Sequence, residues 1–177
     1  TLTTVTFAVL NVIESNGGGS IHFSSGEFVG TPIVVDTDGV IIYNAIIPVP
    51  SNTLISGEGD ATIIKIADGI AVEGGGNYYS VITNMHPEVG NERIVIEKLT
   101  IDGNRENNPS LGGNSECVDF VRCTNSTLRF SKLINNAGSG IDLDGGSKNS
   151  VHNCVFINNY MAAVHPSIAP EFGLAIA

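Results

Sequence analysis

Two stretches in the second half of the chain superimpose residue for residue: STLRFSKLINN (126–136) and NSVHNCVFINN (149–159). Laying Asn136 on Asn159 puts Leu128 on Val151 and Leu133 on Phe156, a spacing of 23 residues that makes the apolar positions coincide. An earlier stretch, RIVIEKLTIDGN (93–104), fits the same template at a spacing of 32, with Ile96, Ile101 and Asn104 in place. The surplus between them is polar and turn-forming, NRENNPSLGGN included, and reads as an inserted loop near 104–115. A sandwich of hairpins predicts alternation but no fixed register. A constant spacing in the low twenties predicts stacked units that share one apolar core.

Composition agrees with short strands and tight turns. There are 21 Gly and no Trp, and the Val/Ile/Leu runs are broken throughout by Gly, Asn and Asp. Strands are predicted over SIHF (20–23), TPIVV (31–35), GVIIY (39–43), NTLIS (52–56), ATIIKI (61–66) and RIVIEKLTI (93–101). One segment has helical spacing. In TVTFAVLNVIES (4–15), Phe7, Leu10 and Ile13 form a stripe that Val5 and Val12 broaden, and Asn16 with Gly17 supplies a stop. The expected fold is all-β: a single parallel β-helix domain over 20–177, whose first unit is covered by the 4–15 helix. At 177 residues, 42% of them hydrophobic, the chain can build one sizeable core.

Charge narrows the function. With 18 acidic residues against 8 basic ones, the net charge of -10 argues against nucleic acid, whose binding rests on Lys and Arg neutralising phosphates. A polyanionic sugar would need a local basic groove or a bridging divalent cation. No apolar run reaches the roughly 18 to 20 residues of a membrane span, and the opening TLTTVTFAVLNVIESN lacks the basic start of a signal peptide. Cys117, Cys123 and Cys154 form no CxxC or Cys/His pattern and are expected as free, buried thiols. GxSxG, P-loop and HExxH motifs are absent.

The register carries further than motifs do. Steps of 23 lead from Asp119 to Asp142 and on to His165, so the three are expected on successive units. Neighbouring strands put them about 4.8 Å apart. Val118, Ile141 and Val164 precede them and are apolar, as an inward column requires, which turns Asp119, Asp142 and His165 outward in one line across the surface. Adjacent carboxylates repel and an imidazolium relieves the repulsion. Such a line could serve as an acid/base set or hold a hard cation such as Ca2+ through oxygens. The competing reading is that outward positions of this fold are simply polar.

Other candidates follow from the same spacing. Arg122, just past Asp119, could neutralise a substrate carboxylate or form an ion pair. In GSGIDLDGG (138–146), Asp144 is either a turn residue or a further ligand. The run EGGGNYYS (73–80) reads as a loop whose Tyr78 and Tyr79 could stack on a sugar ring or pack into the core. Glu97, Arg129 and His152 are expected as a charge column, and Asn136 with Asn159 as a ladder of stacked amides.

Beyond the repeat, a helix precedes NGGGSIHFSSGEF (16–28), NTLISGEGDATIIKIADG (52–69), KLTIDGNRENN (98–108) and GSGIDLDGGSKNSVHNCVFINN (138–159). On these motifs the chain resembles the right-handed parallel β-helix proteins of the pectate-lyase-like superfamily, among them pectate lyases, phage tailspikes and mannuronan C5-epimerase catalytic modules. The epimerase modules resemble it most in motif. Their Y-G-F-D-P-H is matched by S-G-I-D-L-D (139–144), so Asp142 falls on the family's catalytic aspartate, while Ser139 replaces the tyrosine and Asp144 the histidine. A further acidic position of the family corresponds to Ser167.

The resemblance implies a polysaccharide partner and an extracellular or cell-surface location. It implies chemistry at C5 of a uronate: a proton is removed and returned, or a leaving group eliminated. It also implies that this chain supplies the first part of a longer solenoid. The apolar end SIAPEFGLAIA (167–177) would then fold over the last unit, pack against another copy or mark a truncation, and self-association through it is the expectation. Two functions stay open: an epimerase-like or lyase-like enzyme centred on Asp142, and a non-catalytic carbohydrate-binding or structural β-helix.

Overall fold

Parallel pairing at the predicted spacing organises the chain. The computed structural model describes residues 1–37, 41–70, 77–109, 111, 115–168 and 175–176. Helix α1 (Leu2–Ser15) leads into β1 (Gly19–His22), β2 (Gly26–Gly30), β3 (Ile33–Thr37), β4 (Ile42–Val49), β5 (Thr53–Ile66), β6 (Asn77–Asn84) and β7 (Val95–Asp102). There follow β8 (Ser115–Val121), β9 (Thr127–Arg129), β10 (Lys132–Ile134), β11 (Ile141–Asp144), β12 (Ser150–His152), β13 (Val155–Ile157), β14 (Val164–Ile168) and β15 (Ala175–Ile176). A single turn of 3-10 helix, Arg105–Asn107, sits in the expected insertion.

β9, β10 and β11 are answered 23 residues later by β12, β13 and β14, each pair parallel, with Leu128 on Val151, Leu133 on Phe156 and Asp142 on His165. The spacing of 32 holds one unit earlier, where Ile96 lies on Leu128 and Ile101 on Leu133. Two strands of each unit join a nine-stranded sheet and the third joins a six-stranded sheet, ordered β14-β11-β8-β6-β4-β3. NTLIS and ATIIKI, expected as two strands, form the single strand β5, whose register on β7 shifts between Ser56 and Gly59 and again before Ile63. One pair departs from parallel pairing: β3 and β4 are antiparallel, because the short stretch between Thr37 and Ile42 cannot span a parallel crossover.

The core is built of columns. Ile55, Ile96, Leu128 and Val151 stack through successive strands, as do Ile64, Ile101, Leu133 and Phe156, and as do Ile47, Ile82, Val118, Ile141 and Val164. All but the end residues Phe156 and Val164 are buried. Full burial of each such side chain stabilises by about 1.5–3 kcal/mol.

Between strands the chain turns at residues in left-handed conformation, and these too stack. Arg93, Asn125 and Lys148 have φ of 55, 52 and 57°, and Lys98, Phe130 and Asn153 have 56, 50 and 54°. At Gly146 (φ 77°) an added Cβ would overlap the Cys123 carbonyl, so that corner requires glycine. Buried amides satisfy the corner backbone. Asn149 donates from Nδ2 to Cys123 O at 2.8 Å and accepts at Oδ1 from Ser126 N at 3.0 Å. The Asn136–Asn159 pair works the same way: Asn159 accepts from the Asn136 backbone N–H at 3.2 Å and donates to Leu133 O at 3.1 Å. The amides therefore serve the backbone, where stacking on one another had been expected.

Helix α1 begins two residues earlier than its apolar spacing suggested, capped by Thr1, whose Oγ1 accepts from Thr4 N at 3.4 Å. Its buried face is Thr3, Thr6, Leu10 and Ile13. Val5 and Val12 lie on the exposed face, a correction to the broader stripe expected of them. Thr3 and Thr6 can face inward because their hydroxyls are spent on backbone carbonyls, Thr3 on Thr31 O at 2.8 Å and Thr6 on Leu2 O at 3.0 Å. At the far end, β15 pairs with β12, so part of the apolar tail lies along the last unit, while 169–174 and 177 lie outside the described residues.

Replacing Asn149 by Ala strips the buried Ser126 N–H of its partner and leaves Cys123 O with Ser147 N as its remaining donor. A loss of about 1–3 kcal/mol is expected in urea unfolding, with the m-value unchanged. A loss below about 1 kcal/mol, the size of an ordinary surface substitution, would mean that the corner amides are dispensable.

Candidate functional site

β8 and β11 lie side by side in the six-stranded sheet, flanked by β6 and β14. The predicted register holds: Asp119 pairs with Asp142 and Asp142 with His165. His165 Nδ1 stands 3.3 Å from Asp142 Oδ2. Exposure is where the expectation fails. Asp119 is 2% exposed and Asp142 6%, so neither lies on an open surface, and His165, with 42% of its side chain exposed, is the wet end of the line. Burial follows from position. β8 has a strand on each side and is buried from end to end, and the charges of Asp119, Asp142 and Asp144 act on the titratable groups of both Tyr78 and Glu116.

Glu116 belongs to this cluster and was not singled out from the sequence. It is 2% exposed and pairs in register with Ser80. Its neighbours Cys117 and Val118 both enter the core, so β8 does not alternate strictly. The signal that could have found it is the register itself, which sets Glu116 over Ser139, the motif position of the missing tyrosine. The insertion drawn near 104–115 obscured the start of β8 at Ser115.

Burial dominates the acid chemistry. Water-poor surroundings first, then the charges of Asp119, Asp142 and Asp144, hold the Glu116 carboxyl well above its ordinary value. Asp119 is raised in the same way, by burial and then by Asp142 and Asp144. The Tyr78 hydroxyl is pushed up by burial and by Glu116, Asp144, Asp119 and Asp142 in turn. Among the described residues, Glu116 Oε2, Asp119 Oδ1 and Asp144 Oδ1 are buried oxygens that accept no hydrogen bond. Asp144 is thus part of the cluster, at a point where the register of β11 on β14 shifts.

The remaining candidates are placed elsewhere. Asn77–Asn84 is a strand and not a loop, so the two tyrosines face differently, while residues 73–76 of EGGGNYYS lie outside the described residues. Tyr78 is half-buried, 5.9 Å from the Tyr43 ring, and borders the acids. Tyr79 is 7% exposed and belongs to the core, at the edge of a separate cleft of about 520 Å³ with Asn44, Asp68 and Asn77. The Arg122 guanidinium donates to the carbonyls of Pro87 and Glu88, and no salt bridge joins it to a carboxylate among the described residues. Arg129 binds Glu97 at 2.7 Å as the charge column predicted, and His152 packs edge-on against Phe130. The Cys117 and Cys123 thiols are buried and their pKa values raised by it, while Cys154 is half-buried. Among the described residues, no three His, Cys, Asp or Glu side chains converge closely enough to hold a metal ion. No helix among the described residues is long and apolar enough to cross a membrane.

No protein-family model matches the chain. In sequence it is 29% identical over 123 residues, 66% of its length, to the pre-neck appendage protein of Bacillus phage phi29, and equally to the preneck appendage protein of Bacillus phage PZA. The matched region spans 14% of either relative's own length. In structure it is similar to the A-modules of two mannuronan C-5 epimerases of Azotobacter vinelandii. One has a TM-score of 0.57 at 16% identity, covering 98% of this chain and 49% of that one. The other has a TM-score of 0.53 at 17% identity, covering 98% and 58%. At such identities the likeness shows a shared fold, mostly β with parallel strands.

Glu116 and Asp119 keep their protons more firmly folded than unfolded. The stability this lends is fully present below the unfolded carboxyl value near pH 4 and is lost as pH rises toward the folded values. Relative to wild type, Asp119→Asn is therefore expected to gain stability as pH rises from about 4 toward the folded value of Asp119. The expected slope is about 1.4 kcal/mol per pH unit within the window between the two values. Urea midpoints at several pH values measure it; a difference independent of pH would show that Asp119 titrates normally.

Proposed function

We propose that this chain is a right-handed parallel β-helix that acts on an acidic polysaccharide by acid/base chemistry of the epimerase or lyase type. The observation that carries the reading is the Asp142–His165 pair, 3.3 Å apart on adjacent strands, with Asp119 in register behind it. Removal of a proton beside a carboxylate needs a base, and its return, or departure of the leaving group, needs an acid. Asp142 and His165 can divide those roles, since a bound imidazole and carboxylate pass one proton between them. Half-exposed His165 gives the pair its access to solvent and sugar.

A uronate must also bring its own negative charge to a protein of net charge -10. Arg122 is engaged with backbone carbonyls, so it is not the clamp this reading uses. Burial raises the proton affinity of Glu116 and Asp119, which makes the local field less repulsive than the residue count suggests. Half-buried Tyr78 at the border of the cluster offers an aromatic face for a sugar ring.

The test is Asp142→Asn assayed on uronate polymers for double-bond formation and for C5 proton exchange in deuterated water. Wild type is expected to show one of the two, and the variant a loss of about 10²–10⁴-fold. Absence of both reactions in wild type, with Ca2+ present, rules the enzymatic reading out for those substrates.

A second reading, a non-catalytic carbohydrate-binding or structural β-helix, draws support from the similarity to phage pre-neck appendage proteins. Val155, Ile157, Tyr160 and Met161 are also exposed on the last unit, a surface suited to self-association. Sedimentation is then expected to give a dimer or larger, and Ile157→Lys a monomer. A wild-type monomer at micromolar concentration would exclude self-association through that end.

A further inference from the structure

The polar insertion after β7 has no part in the acid/base site, yet its asparagines hold one wall of the cleft of about 520 Å³ that Tyr79 borders. Asn104 donates from Nδ2 to Asp68 Oδ1 at 2.7 Å and to Ile66 O at 2.8 Å, and Asn108 donates from Nδ2 to Ala67 O at 3.0 Å. Asn108 Oδ1 accepts from Ile70 N at 2.8 Å, and the Asn107 carbonyl accepts from Gly69 N at 3.1 Å. Asn104 and Asn108 are themselves buried, so the 67–70 corner, with Asp68 on it, is fixed in place.

A second wall is Asn44 of β4, only 8% exposed. Three acceptors surround its Nδ2, Tyr78 O at 3.1 Å and both Ile42 O and Asn77 Oδ1 at 3.3 Å, and they fix the orientation of the amide. Its donor capacity is therefore spent within the protein. Asn44 Oδ1 and Asp68 Oδ2 accept no hydrogen bond among the described residues, and both residues line the cleft.

Fixed acceptors without donors select a ligand that donates. No Lys, Arg or His lines the cleft among the described residues, so an anion would meet Asp68 with nothing to neutralise it, in a protein of net charge -10. A hydroxyl donates without carrying charge, and Ile42, Ile70 and Tyr79 supply apolar surface for the C–H face of a sugar ring. We propose that this cleft is a binding subsite for one unit of an uncharged saccharide, a neutral pyranose whose hydroxyls donate to Asp68 Oδ2 and Asn44 Oδ1. Its volume falls within the range of about 300–1,000 Å³ usual for small-molecule sites. Neither Asp142 nor His165 lines it, and the subsite does not rest on the acid/base reading above.

The experiment is a ¹H–¹⁵N NMR titration of the full chain with the methyl glycosides of glucose, galactose, mannose and N-acetylglucosamine, and with sodium glucuronate. At least one neutral glycoside is expected to shift the Gly69 and Ile70 backbone amides and the Asn44 side-chain amide saturably. A Kd on the order of millimolar is what about a dozen non-hydrogen atoms of ligand allow. Glucuronate is expected to bind about tenfold more weakly or worse. Asp68→Asn keeps the shape and the bond from Asn104 but turns a donor toward the ligand, and should weaken the glycoside about tenfold or more. Asn44→Leu removes the other acceptor and should act likewise; Asp68 is exposed, so its variant suffices should the buried one fail to fold.

The absence of a saturable millimolar shift from all four glycosides would overturn the proposal, as would glucuronate binding equally well or Asp68→Asn retaining wild-type affinity. Methylammonium shifting the same amides as strongly would assign the acceptors to a cation and overturn it too. Shifts confined to Asp142 and His165 would place the sugar at the acid cluster instead. Uronate turnover is read in a separate assay with a separate variant, so glycoside binding in the cleft without turnover removes the enzymatic reading and upholds the subsite.

Discussion

A parallel strand ladder in constant register can be extended only if the chain turns at the same places in every unit and leaves no buried backbone group without a partner at those turns. Here that condition is met by side-chain amides and hydroxyls at fixed positions. Asn149 ties Cys123 to Ser126, and Asn136 donates to the carbonyls of Ser115 and Ser139. Asn84 accepts from Val121 N at 2.8 Å, and Ser126 accepts at its hydroxyl from Ile94 N at 3.1 Å. Each orphaned group would cost about 1–3 kcal/mol, against a total stability of about 5–15 kcal/mol for a domain. The apolar columns supply the gross stabilisation, but they can stack only because the corners return the chain to the same phase.

Constant register has a second effect: it places like residues next to like. For Ile on Leu, or the Thr127 and Ser150 hydroxyls at 2.9 Å, that is favourable. For Asp119 on Asp142 it is not, and Glu116 and Asp144 aggravate it. A sequence that is locally consistent nearly everywhere carries this one conflict at the centre of the six-stranded sheet. Conflicts of that kind are where function is generally found, because a fold retains an unfavourable arrangement only when something else depends on it. The same burial that makes the acids costly makes their protons hard to remove, which is what acid/base chemistry on a charged sugar would use.

Much of this architecture was legible in advance. The spacings of 23 and 32 predicted the pairing of β7, β9, β10, β12 and β13 to the residue, and the Asp119–Asp142–His165 alignment with them. Errors fell where a side chain's face depends on more than spacing. Val5 and Val12 were assigned to the inner face of α1, which Thr3 and Thr6 occupy by bonding their hydroxyls to carbonyls. Tyr78 and Tyr79 were treated as a pair, but consecutive residues of a strand point oppositely, and β6 sends one to the acids and the other to the core. Arg122 follows Asp119 closely in sequence, yet its left-handed backbone (φ 52°) marks a corner, and its side chain leaves with the turn.

The sequence by itself determined which residues are neighbours across strands, because a repeat of fixed length admits one register. It could not determine how deeply those neighbours are buried. Burial depends on what stands on either side of a strand and on where alternation breaks, and Cys117 and Val118 both turning inward is a tertiary outcome with no local signal. Only the folded molecule therefore closed Glu116 and Asp119 away from water. The physical reason is that hydrogen-bond register is a one-dimensional property of the chain, while desolvation is a property of the volume around each group.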